Sequence, residues 1–367
     1  MSEPATDRPR GPAMSGLTSS AGSEERATDQ RRREDIASRP AHASGASQSN
    51  TAWISLHLFY QGDLGELARN LVAPLTSGLI ADGRVRDFFF LRHWDGGDHL
   101  RLRVRPAETG LERELVERCT EYLRAHPSPE RVTQEQYAAF AVALGRWEHL
   151  TSYTEVMYPN NSVRVIRYRP EHNRYGHGAS VEAVERHFVE SSRIALDLMR
   201  RGLPADRLDT AAFSLILLAW FVCQPDPAAL HASIASYARA AGEPPPIKLW
   251  AEFEERYLAQ RDRLLALGTR LRALAACPPE LLGSGSLAEW TASVARLRNA
   301  LSTLDFTGPG RGWEGPGGIT GAGILTVVDI CAHLICNRLG VTLAEEGYAR
   351  YLAGQITGAL STVGAPR

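Results

Sequence analysis

The chain has 367 residues with a net charge of −1, and its hydrophobic and charged fractions of 44% and 23% are those of a globular protein. That balance excludes a global electrostatic footprint for nucleic acid or an anionic membrane. The five cysteines (Cys119, Cys223, Cys277, Cys331 and Cys336) are odd in number and lack metal-site spacing, a pattern expected of a reduced, cytoplasmic protein.

Residues 1–50 contain no aromatic side chain and are rich in Ser, Ala, Arg, Glu and Pro. They cannot bury enough apolar surface to offset chain entropy, so a disordered tail is expected. They contain no apolar segment of the signal-peptide kind. Trp53 to Tyr60 alternates like a strand, with Trp53, Ser55, His57 and Phe59 on one side. This strand is a candidate sheet edge that could receive a peptide by strand addition. Leu64 to Leu75 carries a helical pattern.

The stretch from Phe88 to Arg105 reads as a β-hairpin turning at Asp95-Gly96-Gly97-Asp98, where glycine supplies the positive φ that tight connections need. In the return strand His99, Arg101, Arg103 and Arg105 share one side, and Leu100, Leu102 and Val104 the other. Two readings of this cationic row stand side by side: a site for an anion, or a solvated edge strand whose charge blocks aggregation. Lys248 is the only lysine in the chain, so arginine is the default basic residue here and position must carry the argument.

Helices are expected over Leu111–His126 and Gln134–Trp147. A second β-like region follows, Ser152 to Tyr158, a turn at Pro159-Asn160-Asn161, then Val163 to Tyr168. The polar loop from Arg169 to Gly178 precedes a long helix over Val181–Arg200. Helix then dominates from Leu208 to Ala276, including the apolar run Phe213–Cys223, which is too short to span a bilayer. A helix over Leu287–Leu304, a glycine-rich loop over Thr307–Gly323 that could act as a lid, and helices over Ile324–Leu339 and Thr342–Leu360 complete the chain. The fold class expected is α+β: one domain over 51–367 with a mixed or antiparallel sheet and a largely helical C-terminal half. No phosphate-binding glycine motif, nucleophile elbow, zinc-ligand helix or cofactor signature is present.

Three clusters have catalytic character. The arginines around Arg101 and Arg103 suit a carboxylate or developing enolate. The loop from Tyr168 to Gly178 offers Arg174 for substrate contact and Glu171 to orient an arginine. His333, sharing a helix face with Asn337, suits proton transfer at neutral pH. A packing histidine in an apolar helix is the competing reading.

At the same three places the chain resembles the elimination domains of lantibiotic dehydratases. Phe89-Phe90-Leu91-Arg92-His93-Trp94 with His99-Leu100-Arg101-Leu102-Arg103 is similar to their "FFIRY…HIRLR" region. Tyr168-Arg169-Pro170-Glu171-His172-Asn173-Arg174-Tyr175-Gly176 is similar to "YxxExxRYGG", and His333 to Leu339 to "HMxxNRL". The resemblance covers about residues 52–360. It implies a stand-alone domain acting on a ribosomal precursor peptide, eliminating glutamate from glutamylated Ser or Thr to leave dehydroalanine or dehydrobutyrine. A separate protein would add the glutamate from glutamyl-tRNA. It implies His333, Arg103 and Arg174 as catalytic, and Arg101, Arg92, His99, Tyr168, Glu171 and Asn337 as substrate-binding. A second branch of the family joins two dehydroalanines in a formal [4+2] cycloaddition, and a non-catalytic peptide-binding scaffold is a third reading. The chain departs from the pattern at His177, at Ser191-Ser192 where an acidic "DS" is common, and in the length between Arg105 and Tyr168. A homodimer is compatible with these readings, and nothing in the sequence sets the oligomeric state.

Overall fold

Alternation and turn chemistry build the N-terminal half. The computed structural model describes residues 53–147, 153–202, 204–240, 247–304, 306 and 323–363. The tail at 1–50 and nearly all of the glycine-rich loop fall outside these residues. Strand β1 (Ile54–Phe59) leads into α1 (Leu64–Leu67), a π-helical turn over Ala68–Val72, and α2 (Ala73–Ala81). Asp63 starts α1 by accepting hydrogen bonds from the Gly65 and Glu66 amides. The hairpin follows as β2 (Val85–His93) and β3 (His99–Pro106), then α3 (Leu111–Ala125), α4 (Gln134–Trp147) and β4 (Ser162–Val165).

The strands form one antiparallel sheet in the order β2-β3-β1-β4. Strand, helix, hairpin, helix, strand with this order is the split βαβ arrangement. It puts β1 inside the sheet, between β3 and β4. The expected edge position of Trp53 to Tyr60 is therefore corrected: both of its edges are already paired. β3 is interior too, which removes the solvated-edge reading of its arginines.

Leu56, Leu58, Phe88, Phe90, Leu100, Leu102 and Val104 make the apolar side, all buried and joined in one core with Leu71, Leu79, Leu115 and Leu123 from the helices. At the hairpin tip Gly96 and Gly97 have φ of +89° and +105°. A Cβ on Gly96 would lie 2.7 Å from the Tyr158 ring, so the turn needs glycine for space as well as for φ. Residues 153–158 do not form the strand expected there. Their amides are taken up elsewhere: Thr154 N donates to Asp95 Oδ1, Met157 N to Gln134 Oε1 and Tyr158 N to Gly96 O.

The C-terminal half is helical: α5 (His172–Tyr175), α6 (Ala179–Arg200), α7 (Ala205–Cys223), α8 (Pro227–Ala240), α9 (Ile247–Leu258), α10 (Arg261–Ala275), α11 (Ser286–Ser302), α12 (Ile324–Leu339) and α13 (Leu343–Val363). Phe213 to Val222 is buried on every face by neighbouring helices, as a helix apolar all round requires. Among the described residues no single helix is long and apolar enough to cross a membrane.

The two halves are joined at the outer edge of β2. Among the described residues no further strand pairs with the backbone groups there, and leaving them buried and unpaired would be costly. Helices supply the partners. Ser192 Oγ of α6 accepts from Phe90 N, and Arg338 Nε of α12 donates to Phe90 O. Asn337 closes a two-bond clamp on Arg92, accepting from its amide at 2.9 Å and donating to its carbonyl at 3.1 Å. Arg92 Nε in turn donates to Arg338 O, and the guanidinium lies where a Cβ on Gly340 would be, within 2.7 Å. Gly340, with φ +82°, ends α12 as expected.

Asn337→Ala removes both bonds of the clamp and should lower stability by about 2 kcal/mol in chemical denaturation. A residue that only touches substrate would leave the denaturation midpoint unchanged.

Candidate functional site

The side of the sheet opposite the apolar core carries the polar rows. Cross-strand pairing sets them: Phe89, Arg103 and Ser55 in one row, Leu91, Arg101, His57 and Arg164 in the next, and His93, His99, Phe59 and Ser162 beyond. Directly opposed residues on one face approach closely, so two guanidiniums stand over a bed of imidazoles.

Arg103 is 6% exposed, and its Nε and Nη1 have no hydrogen-bond partner among the described residues. The Tyr168 ring covers it, 5.5 Å from guanidinium carbon to ring centroid. Desolvation, then repulsion from Arg101, pulls its pKa down to about 9. Arg101 is half-buried, donates from Nε to His99 Nε2 at 3.2 Å, and is pulled down to about 10 by desolvation. Glu171 draws both guanidiniums the other way. The resulting field is positive and under-neutralised.

The imidazoles answer that field by staying neutral. His57 stacks on His99 at 4.9 Å, and His99 lies 5.5 Å from His93. Burial first, then the charge of Arg103, lowers His57 to about 2. Burial likewise lowers His99 to about 3, against the pull of its 2.7 Å contact with the Gly97 carbonyl, and holds His93 well below its usual range. The rings stack, and among the described residues no group of three His, Cys, Asp or Glu side chains is arranged to hold a metal ion.

The loop after β4 arches over this face. Ile166 N donates to Ser55 O at 3.1 Å, which anchors Tyr168 two residues on. Glu185 of α6, itself buried, accepts from Trp53 Nε1 and Arg105 Nη2, and its charge acts on the nearby Tyr168 phenol. Burial, then that carboxylate, raises the Tyr168 phenol strongly. Glu171 pairs with Arg174 at 3.2 Å across the short helix α5, and both are exposed.

His333 belongs to a different cluster, built between α12 and α13. Its Nδ1 lies 2.8 Å from Glu346 Oε2. Burial pushes the Glu346 carboxyl up, but His333 and Arg350 outweigh it and hold it below the usual range. An ionised carboxylate can only accept, so the proton sits on Nδ1 and the basic lone pair of a neutral ring is on Nε2. Arg350 Nε donates to Glu346 Oε1 and its Nη1 to Asp329 Oδ1, which also accepts from Trp220 Nε1. Arg350 and Asp329 are wholly buried.

The structure thus gathers Arg101, Arg103, His99, Tyr168, Glu171 and Arg174 around one face of the sheet. It sets His333 in its own ionic network one helical turn before Asn337. Arg92 and Asn337 bond to each other at the β2 edge, and His99 is fully buried beneath Arg101. Sequence reasoning passed over His57, Ser55, Glu185 and Glu346. His57 and Ser55 had a signal, since they alternate on one side of the first strand. Glu346 had none, because its partner lies on another helix.

The unfolded-state imidazole titrates near 6.5, so histidines held neutral in the fold make stability fall as pH drops below that value. His57, His99 and His187, lowered to about 2, 3 and 3, act together in this window. Each contributes a slope of about 1.4 kcal/mol per pH unit. His57→Gln should flatten the dependence between pH 6 and 4.5 by one such increment in denaturant titrations. An unchanged slope would mean that folded His57 takes up its proton normally.

A family model described as "Lantibiotic biosynthesis dehydratase C-term" matches residues 53–357. Among solved structures, the pyridine synthase TbtD from thiomuracin biosynthesis aligns with a TM-score of 0.68 at 21% identity, over 85% of this chain and 99% of that one. TsrL aligns at 0.58 and 19% identity, over 86% and 99%. The tRNA-dependent lantibiotic dehydratase MibB from Microbispora sp. 107891 aligns at 0.51 and 20% identity, over 88% of this chain and 29% of MibB. No curated protein matches the chain in sequence.

Proposed function

The chain belongs to the lantibiotic dehydratase C-terminal family, and we propose that it is a tailoring enzyme that eliminates glutamate from glutamylated Ser or Thr of a ribosomal precursor peptide. What carries the reading is Arg103, a buried guanidinium with two unpaired donor nitrogens beside the half-buried Arg101. A buried unpaired charge is costly unless something completes it. A glutamyl ester brings an anion to such a place; a pair of neutral dehydroalanines does not.

The elimination removes the α-proton of the modified residue and breaks its Cβ–O bond. Glutamate departs with a newly formed carboxylate, and a Cα=Cβ double bond remains. His333 is the proton acceptor in this scheme, with Glu346 fixing its tautomer through the 2.8 Å contact at Nδ1. Arg103 and Arg101 bind the glutamyl group and the developing charge, and Arg174, paired with the exposed Glu171, adds a third cationic contact. The glutamate would be added beforehand by a separate tRNA-dependent protein. MibB, a tRNA-dependent dehydratase of which this chain matches 29%, is compatible with that division of labour.

The second reading is cycloaddition of two dehydroalanines, and the observation favouring it is the alignment with 99% of the pyridine synthase TbtD. Mass spectrometry separates the two. With a glutamylated precursor peptide, loss of each glutamate is expected, and His333→Ala and Arg103→Ala should each slow it at least about 100-fold. Untouched glutamylated peptide, together with cyclisation of a dehydroalanine peptide, would replace elimination by cycloaddition. Binding with neither reaction would leave a peptide-binding scaffold.

A further inference from the structure

Ser55 stands directly across from Arg103 on neighbouring strands, and their side chains share the cationic face. Ser55 is 2% exposed, and its Oγ, like Nε and Nη1 of Arg103, has no hydrogen-bond partner among the described residues. Three buried polar atoms on two opposed residues are therefore unsatisfied together. Buried hydroxyls and guanidiniums are ordinarily paired, and a cluster of exceptions calls for an occupant.

We infer that Ser55 and Arg103 are two halves of one carboxylate-binding subsite, in which the Ser55 hydroxyl and the Arg103 guanidinium donate to the same anionic group. The inference rests on the elimination reading and deepens it. A glutamyl group transferred from tRNA is esterified through its α-carboxyl, so its side-chain carboxylate is the one that stays free. That group is small, carries one charge and accepts several hydrogen bonds, matching the donors left over. A phosphate would bring more charge and bulk than one guanidinium and one hydroxyl can take.

The neighbours favour an anion there. Arg101, half-buried in the adjacent row, adds positive charge. His57 is neutral and competes with no anion for these donors. Tyr168 roofs the subsite, tied to the sheet by the Ile166–Ser55 backbone bond and packed edge-on against Trp53 and Phe89. A carboxylate held there is shut away from water, where charge-assisted hydrogen bonds are strongest. The charged, donor-only guanidinium of Arg103 selects a carboxylate over the amide of a glutaminyl analogue, and the Ser55 hydroxyl, rotated to donate, positions that carboxylate.

Isothermal titration of the full chain with glutarate, at constant ionic strength, tests the subsite without requiring turnover. Glutarate should bind and glutaramide should not. Ser55→Ala should weaken glutarate about tenfold, the usual worth of a hydrogen bond to a charged partner, and Ser55→Thr, which keeps the hydroxyl, should restore most of it. Equal binding by wild type and Ser55→Ala, or equal binding of glutarate and glutaramide, would overturn the inference. Glutamylated precursor peptide compared with the same peptide unmodified identifies the source of the carboxylate. Ser55 dependence confined to the glutamylated peptide supports the inference, and dependence seen equally with the unmodified peptide overturns it as a glutamyl subsite. Glutarate binding that depends on Ser55 in a protein that eliminates no glutamate would remove the proposed function and leave the subsite standing.

Discussion

The outer edge of β2 is the constraint on which the rest of the molecule depends. A sheet edge buried against helices must find partners for its outward amides and carbonyls. Here Ser192, Arg338 and Asn337 supply them in place of a fifth strand. These side chains come from α6 and α12, so satisfying the edge also fixes the helical half against the sheet. α12 then has one allowed register, and His333 follows from it, one turn before the Asn337 clamp. Behind His333, α13 delivers Glu346 and Arg350 into an ionic network that reaches Asp329 and Trp220. Removing one partner from such a network leaves a buried charge uncompensated, so the histidine's orientation is tied to the packing of three helices.

The second organising feature is electrostatic. Antiparallel pairing with a two-residue side-chain period places Arg101 and Arg103 on the same face as His57, His93 and His99. Two guanidiniums of like sign in a desolvated place would be intolerable beside charged imidazoles, and the imidazoles are driven neutral. Glu171 offsets part of the remaining charge from an exposed position, where it is already engaged with Arg174. The face is therefore stable as a fold and still short of negative charge, the condition an anionic substrate would relieve.

Much of this was legible in the chain. The alternation from His99 to Arg105 gave β3 and its two faces, Gly96-Gly97 gave the turn, and Gly340 the end of α12, because each is a local effect of period or of φ. The order of strands was not, since it depends on pairings between residues far apart. β1 looked like an edge and lies inside the sheet. Residues 153–158 have strand-like composition, yet their amides serve the hairpin tip and the Gln134 side chain. Arg92 and Asn337, 245 residues apart in sequence, hydrogen-bond each other, a pairing no local pattern announces. The same non-locality hid Glu346 from His333's account.

The measurement that bears most directly on the anion-deficient face is thermal stability against glutarate concentration, at constant ionic strength, for wild type and Arg103→Met. A ligand that binds only the folded state stabilises it in proportion to the logarithm of its concentration. The account predicts a midpoint that climbs steadily with glutarate in the wild type and stays flat in the variant. A wild-type midpoint indifferent to glutarate, or a rise of equal size in Arg103→Met, would contradict it.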